Sequence, residues 1–310
     1  MMTIPKGLFI GSIILPAFLP VFFSPYVLTL LFTIFINISL TAGINLLWGF
    51  SGYMNLGYMV YFGLGAYGTA ILTLAGWSFP VGLLVCLPLF SFLAGLIALL
   101  LFRLQGIYFS VVSLGVLILL EESAGKLIFL SGGPEGLSLP LGNYTLESYW
   151  LSLGLALLSL ALTKWIDRQR LGYGLRMIQE DEQMAQAIGV PVLFTKITAY
   201  VLGAFIASLA GAIYVRQSGY IGPASAFGLA VAMPPVIMAL IGGGRRWWGP
   251  LLGAIILTGL QEALWTGFNR WVLSGYGIIL ILAGFFHGQG EKLLHRSFKE
   301  KSPLRSFFKT

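Results

Sequence analysis

A group of charged side chains lies mid-chain in the stretch GLRMIQEDEQMAQAIG, residues 174–189. Arg176 is followed there by three consecutive acids, Glu180, Asp181 and Glu182. Acids on a short exposed helix with one apolar edge suit docking into a groove on another protein. The stretch therefore predicts a protein contact.

The local sequence supports a helix at this position. Leu175 to Ile188 contains strong helix formers, and Gly189 and Pro191 supply a stop. On such a helix Ile178, Ala185 and Ile188 share one side, while the three acids face water. The alternative is a helix that lies on the inner leaflet. It is disfavoured because three acids would face a negatively charged membrane surface.

A second charged group, Glu121, Glu122 and Lys126, lies at the end of an apolar run. Glu122 and Lys126 are four residues apart, so they can pair on one helical face. Charges inside a membrane are functional candidates and could bind the coupling ions of a secondary transporter. Their position near the outer end of the run favours side chains that reach to the interface instead.

The elements that position these groups follow from composition. The 310 residues are 57% hydrophobic and only 9% charged, which indicates an all-α, polytopic integral membrane protein. A membrane-spanning helix needs roughly 20 apolar residues, so the chain can hold about ten. The predicted spans are Leu8–Phe23, Tyr26–Leu47, Tyr53–Ala75, Pro80–Phe102, Ile107–Leu130, Ser148–Ile166, Thr195–Val215, Phe227–Ile241, Leu251–Trp265 and Trp271–His287. The glycine-rich third span could be broken or re-entrant.

The distribution of Lys and Arg predicts the orientation of these spans. With an inside N-terminus, 15 of the 18 basic residues fall in inside segments. Only Arg216 and Arg270 fall outside, and Lys126 lies within a span. Both termini are therefore predicted to be cytoplasmic, and the basic tail, residues 288–310, is predicted to lie at the anionic lipid of the inner leaflet.

The sequence lacks the residues that a disulfide, a metal site or a nucleotide-binding site would need. The single cysteine, Cys86, cannot form an intrachain disulfide, and no cysteine-rich metal site exists. His287 and His295 have no HExxH or paired-acid setting, and no G-x-x-x-x-G-K-[ST] loop is present to bind nucleotide phosphates. The sequence therefore predicts no catalytic residue, no metal, no bound cofactor and no nucleic-acid partner.

Six blocks together resemble one family. They are LGYGLRMIQEDEQMAQAIGV (171–190), INLLWGFSGYMNLGYMVYFGLGAY (44–67), RLQGIYFSVVSLG (103–115), SGGPEGL (131–137), AFIASLAGAIYVRQSGYIGP (204–223) and IGGGRRWWGPLLGA (241–254). The chain is similar to the branched-chain amino acid ABC transporter permeases, in the LivM-like branch. The resemblance covers most of the chain.

This resemblance implies a single permease domain over residues 1–310 of an ABC importer in a prokaryotic inner membrane. Its expected partners are a related, LivH-like permease, two ABC ATPases that use ATP and Mg, and an extracellular or periplasmic solute-binding protein. Residues 167–196 correspond to the cytoplasmic coupling loop. The residues expected to couple to the ATPase are Arg176, Glu180, Asp181, Glu182, Ala185 and Gly189.

The candidate translocation pathway lies in the second block. Gly63 and Gly65 favour close helix packing over contact with solute. Buried amides need partners, and packing is favoured for Asn45, while Asn55 is balanced between packing and the pathway. Relatives commonly carry other polar residues where this chain has Asn55 and Tyr58, which leaves the solute open.

Branched-chain amino acids are the family's usual cargo, and close relatives carry urea, short amides or other amino acids. The remaining alternative is a secondary transporter that uses Glu121, Glu122 and Lys126. Co-purification with an ATPase would separate the two classes.

Overall fold

The computed structural model describes residues 24–140, 142, 144–244 and 246–267. The chain divides into two compact units, residues 1–259 and 260–310, and all contacts discussed below lie within the first. Of the second unit, only 260–267 are described, as the end of the last described helix. Predicted spans Leu8–Phe23 and Trp271–His287, and the basic tail at 288–310, lie outside the described residues.

The described chain is helical apart from two short strands. The elements are α1 (Pro25–Ser51), α2 (Met59–Leu74), α3 (Phe79–Leu101), α4 (Ile107–Lys126), α5 (Ile128–Ser131), a 3₁₀ turn (Gly133–Glu135), β1 (Leu137–Ser138), α6 (Thr145–Asp167), α7 (Arg170–Glu180), α8 (Glu182–Ala187), α9 (Val192–Ser218), β2 (Tyr220–Ile221), α10 (Pro223–Phe227), α11 (Leu229–Gly242) and α12 (Gly249–Gly267).

The prediction of an all-α membrane protein is confirmed. Among the described residues, six helical segments are long and apolar enough to cross a membrane, with α10 and α11 counted together as Pro223–Gly242. The predicted third span, Tyr53–Ala75, becomes the shorter helix α2, which begins only at Met59. Its 16 residues span roughly 24 Å, less than the ~30 Å of a bilayer's hydrocarbon core.

Helix α9 packs against more of the bundle than any other described element. Its most extensive contacts are with α2, and it also packs on α1, α3 and α6. Small residues make this possible, because an alanine methyl at Gly65 of α2 would lie 2.0 Å from the Ser208 carbonyl oxygen of α9. The two backbones therefore meet directly.

With an inside N-terminus, the predicted spans leave residues 131–147 and 216–226 outside the membrane, and these two loops come together. Strand β1 pairs antiparallel with β2, with Leu137 opposite Ile221. Next to this pair the Arg216 guanidinium, at the end of α9, lies 2.7 Å from the Glu147 carboxylate at the start of α6. These contacts agree with the prediction that both loops lie at one end of the bundle.

Candidate functional site

The coupling segment, residues 167–196, folds as two helices and not as the one helix predicted over Leu175–Ile188. Asp181 is extended (φ −159°, ψ 117°), and its carboxylate accepts a hydrogen bond from the Met184 amide at 2.9 Å. It is thus the N-cap of α8. The single-helix prediction was wrong because a capping aspartate ends α7 and starts a new helix.

The Arg176 side chain is partly exposed, at 36%, and its guanidinium contacts other groups of the same chain. Its guanidinium forms an ion pair with the Asp167 carboxylate and donates to the Asp167 carbonyl at 3.2 Å. It also lies over the Phe50 ring, 5.4 Å from the ring centroid. Arg176 therefore fixes α7 against the end of α6 and the end of α1.

Glu182 also turns inward, contrary to the prediction that all three acids face water. One carboxylate oxygen lies 2.6 Å from Lys196 Nζ, and the other accepts from the Tyr53 hydroxyl at 2.6 Å. Lys196 Nζ also donates to Tyr53 Oη at 3.0 Å, and lies 5.6 Å from the centroid of the Phe102 ring. We call Tyr53, Glu182 and Lys196 the polar cluster.

The polar cluster contains a buried charge. Lys196 is only 2% exposed, whereas the Glu182 side chain is 31% exposed. Burial of the hydroxyl, with the hydrogen bond to Glu182 and the charge of Glu182, raises the pKa of Tyr53 far above its ordinary value of 10. Tyr53 therefore stays protonated at neutral pH and can donate to Glu182 while it accepts from Lys196.

The remaining predicted coupling residues divide between the two faces of the segment. Ala185 and Ile178 are buried, at 1% and 4% exposure, while Glu180 and Asp181 are exposed. Gly189 is exposed with φ +92°, a left-handed turn that ends α8 and suits glycine. Ile188 was predicted to share the buried side and does not, because the helix break at Asp181 changes the face that α8 presents.

Two large apolar side chains are exposed at α8 and its C-cap, beside the exposed Gln183 and Gln186. Met184 is 65% exposed and Ile188 is 57% exposed, and the two lie four residues apart, on one side of the helix. We call this pair the apolar face. Sequence reasoning placed Ile188 with Ile178 and Ala185 on one side of a single continuous helix and assigned Met184 to neither side.

The candidate pathway residues are buried and mostly occupied by contacts within the bundle. The Tyr58 hydroxyl donates to the Gly203 carbonyl at 3.1 Å. An alanine methyl at Gly43 would lie 1.9 Å from the Tyr58 hydroxyl oxygen. A methyl at Gly63 would lie 2.1 Å from the Phe227 ring. These contacts agree with the packing interpretation of the glycines.

The side-chain amides of Asn45 and Asn55 differ in their hydrogen bonds. Asn45 Nδ2 donates to the Arg246 carbonyl at 3.4 Å, and its Oδ1 has no hydrogen-bond partner among the described residues. Asn55 Oδ1 accepts from the Gly57 amide at 3.1 Å. Deeper in the bundle the Tyr61 hydroxyl donates to the Tyr200 hydroxyl at 2.9 Å. These buried polar groups therefore lie in α1, in the connection between α1 and α2, in α2 and in α9.

The second charged group lies on the outside of the bundle. Glu122 and Lys126 form the predicted i, i+4 pair at 3.8 Å, with side chains 70% and 80% exposed. Glu121 is half-buried beside them. In the part of the chain that the structure describes, no cluster of three His, Cys, Asp or Glu side chains could hold a metal ion.

Comparison with known proteins gives a consistent result. A family model described as a branched-chain amino acid transport system permease component matches residues 26–284. The chain is 27% identical to the high-affinity branched-chain amino acid transport permease LivM of Salmonella typhimurium, over 82% of this chain and 67% of that protein. LivM of Escherichia coli K12 gives the same identity and coverage.

Two further relatives are more distant in coverage or function. LivH of Escherichia coli K12 is 33% identical over 37% of this chain and 36% of LivH. The autoinducer 2 import permease LsrC of Salmonella paratyphi B is 28% identical over 74% of this chain and 69% of LsrC. No solved structure gives a significant match.

Proposed function

This chain belongs to the family of branched-chain amino acid transport permeases, and on that premise we propose that it is the membrane subunit of an ATP-driven importer that couples to its ATPase through α8. The observation that supports this most directly is the apolar face. Met184 and Ile188 are exposed on a short helix whose other side is fixed by buried contacts. An exposed apolar pair on a fixed helix suits a groove on a partner protein.

The coupling residues then have two roles. Met184 and Ile188, with the exposed acids Glu180 and Asp181, form the surface that contacts the ATPase. Ala185, Arg176 and Glu182 face the permease and hold that surface in place. This assignment keeps the predicted coupling segment and its exposed acids. The apolar part of the contact becomes Met184 with Ile188, because Ile178 and Ala185 of the predicted apolar edge are buried.

The proposed cargo is a branched-chain or related amino acid, by similarity to LivM. The proposed pathway follows the buried polar groups of α1, the α1–α2 connection, α2 and α9. Its candidate polar contacts are Asn55, Tyr61 and Tyr200. Urea or a short amide would suit the same hydroxyl and amide groups. A second, LivH-like permease and a solute-binding protein complete the proposed importer, which lies in the inner membrane with both termini in the cytoplasm.

The secondary transporter is the weaker alternative. Coupling ions in that class bind near the middle of the membrane, at broken helices. Glu122 and Lys126 instead lie in the last five residues of α4, and both side chains are mostly exposed. Neutralising Glu122 as Gln should therefore leave uptake unchanged.

The apolar face gives a direct test. Burying Ile188 against a partner would contribute about 1.5–3 kcal/mol, so Ile188→Asp should weaken ATPase binding by about tenfold or more. Leu146→Asp is a matched control, because Leu146 is 51% exposed and lies in the first turn of α6, before the predicted span Ser148–Ile166 and at the opposite, predicted outer end. ATPase recovered by affinity purification of each variant from membranes measures the effect. Equal recovery with both variants would contradict the proposed contact.

A further inference from the structure

The polar cluster joins three parts of the chain that are distant in sequence. Tyr53 lies between α1 and α2, Glu182 is the first residue of α8, and Lys196 lies in the first turns of α9. Each member contacts the other two. Charge-assisted hydrogen bonds are the stronger kind, and three in a closed arrangement fix the relative positions of the segments that carry them.

Helix α8 needs such a connection. It has six residues, too few for a helix that is stable by itself. Only residues 188–191 separate it from α9, and Gly189 in that connection has φ +92°. A short chain through a glycine would let α8 change its angle without moving α9. The polar cluster provides a second connection between α8 and α9, because Glu182 of α8 pairs with Lys196 of α9.

We propose that the polar cluster makes α8 and α9 move as one body, and so transmits ATPase movement to the membrane helices. The proposal rests on the proposed function, since it assigns the step that follows ATPase contact. Helix α9 packs on α1, α2, α3 and α6, so a rotation of α9 reaches most of the described bundle. Tyr53, Glu182 and Lys196 are positioning residues: they act through α8 and α9 and not by touching the solute.

The first experiment tests the mechanical connection on the purified full chain. Amide hydrogen exchange is measured by mass spectrometry for residues 182–188. Lys196→Met removes the buried charge, and Tyr53→Phe removes only one hydroxyl, which protects against a variant that fails to fold. Exchange should rise by about tenfold or more in Lys196→Met and by less in Tyr53→Phe, because local opening is then easier. Glu122→Gln, in an exposed ion pair, is the control and should leave exchange unchanged.

The second experiment tests transmission in the assembled importer. Proteoliposomes with the permease pair, the ATPases and the binding protein are given radiolabelled leucine as the probe, and uptake per ATP hydrolysed is compared. Lys196→Met should retain the ATPase but take up leucine about tenfold less efficiently per ATP. Lys196→Arg should recover much of the uptake, because it keeps the charge and can stack on the Phe102 ring.

The outcomes separate the two proposals. An unmodified chain that binds no ATPase would overturn the proposed function, and the transmission role with it. Normal ATPase binding with unchanged uptake per ATP in Lys196→Met would overturn only the transmission role. Unchanged exchange at residues 182–188 in both Lys196→Met and Tyr53→Phe would show that the polar cluster does not fix α8.

Discussion

The contact between α2 and α9 gives the most sharply defined perturbation. Gly65 faces the backbone of α9, where an added methyl would lie 2.0 Å from the Ser208 carbonyl oxygen and 2.6 Å from its carbonyl carbon. The obstacle is backbone and not the end of a flexible side chain. Gly65→Ala therefore forces the two helices apart by roughly 1 Å or more, since no rotamer change relieves the overlap.

The loss of folding stability in Gly65→Ala follows from this overlap. Overpacking of a well-packed core costs about 1–3 kcal/mol. A change of 1 kcal/mol shifts the midpoint of a 150–250-residue domain by about 2–4 °C, so the unfolding midpoint of Gly65→Ala should fall by several degrees. Gly115→Ala is the control: Gly115 lies on the exposed side of α4 with nothing within 4 Å of an added methyl. Alanine is the better helix former there, so stability should stay equal or rise by up to ~1 kcal/mol.

Thermal unfolding in detergent, followed by the fraction that remains monodisperse in size exclusion, measures both variants. A Gly65→Ala midpoint equal to that of Gly115→Ala would refute the direct backbone contact. A deeper fall than several degrees would mean that the strain spreads from α2 and α9 into the rest of the bundle.

Two further predictions concern side chains outside the coupling segment. Arg216→Gln removes the ion pair with Glu147 and the contacts of the guanidinium with the Phe79 and Tyr144 rings, and should lower the free energy of unfolding by about 1–2 kcal/mol. Lys126→Gln, in a mostly exposed pair, should have little effect. Equal midpoints for the two variants in the same thermal assay would contradict this. Cys86 is 3% exposed, so a maleimide should label it slowly in the native protein and fully after unfolding in detergent; rapid labelling of native protein, measured by intact mass, would contradict its buried position.

The sequence predicts the helices well because hydropathy and length act locally. The predicted span Tyr26–Leu47 corresponds to α1, Pro25–Ser51, and Ser148–Ile166 corresponds to α6, Thr145–Asp167. The distribution of Lys and Arg also predicts which loops lie at the same end of the bundle, and the pairing of β1 with β2 agrees with that prediction. These features depend on stretches of about twenty residues, which a single sequence contains in full.

The faces of the coupling helices could not be predicted in the same way. Glu182 turns inward because it pairs with Lys196 and Tyr53. This could not be predicted, since Lys196 is 14 residues away, across two helix ends, and Tyr53 is 129 residues away. One local signal was available: aspartate is a favoured N-cap, so Asp181 could have marked the start of a second helix. The buried partner of Asn45, the Arg246 carbonyl, had no such signal.

ATP hydrolysis by the affinity-purified complex in lipid nanodiscs tests whether an ATPase bound at α8 drives this permease. We expect that an ATPase co-purifies, and that hydrolysis rises when leucine and its binding protein are added together. The Ile188→Asp variant should lose both the ATPase and the stimulation. Uptake of leucine by the permease in proteoliposomes with no ATPase present would show that the permease is not ATP-driven.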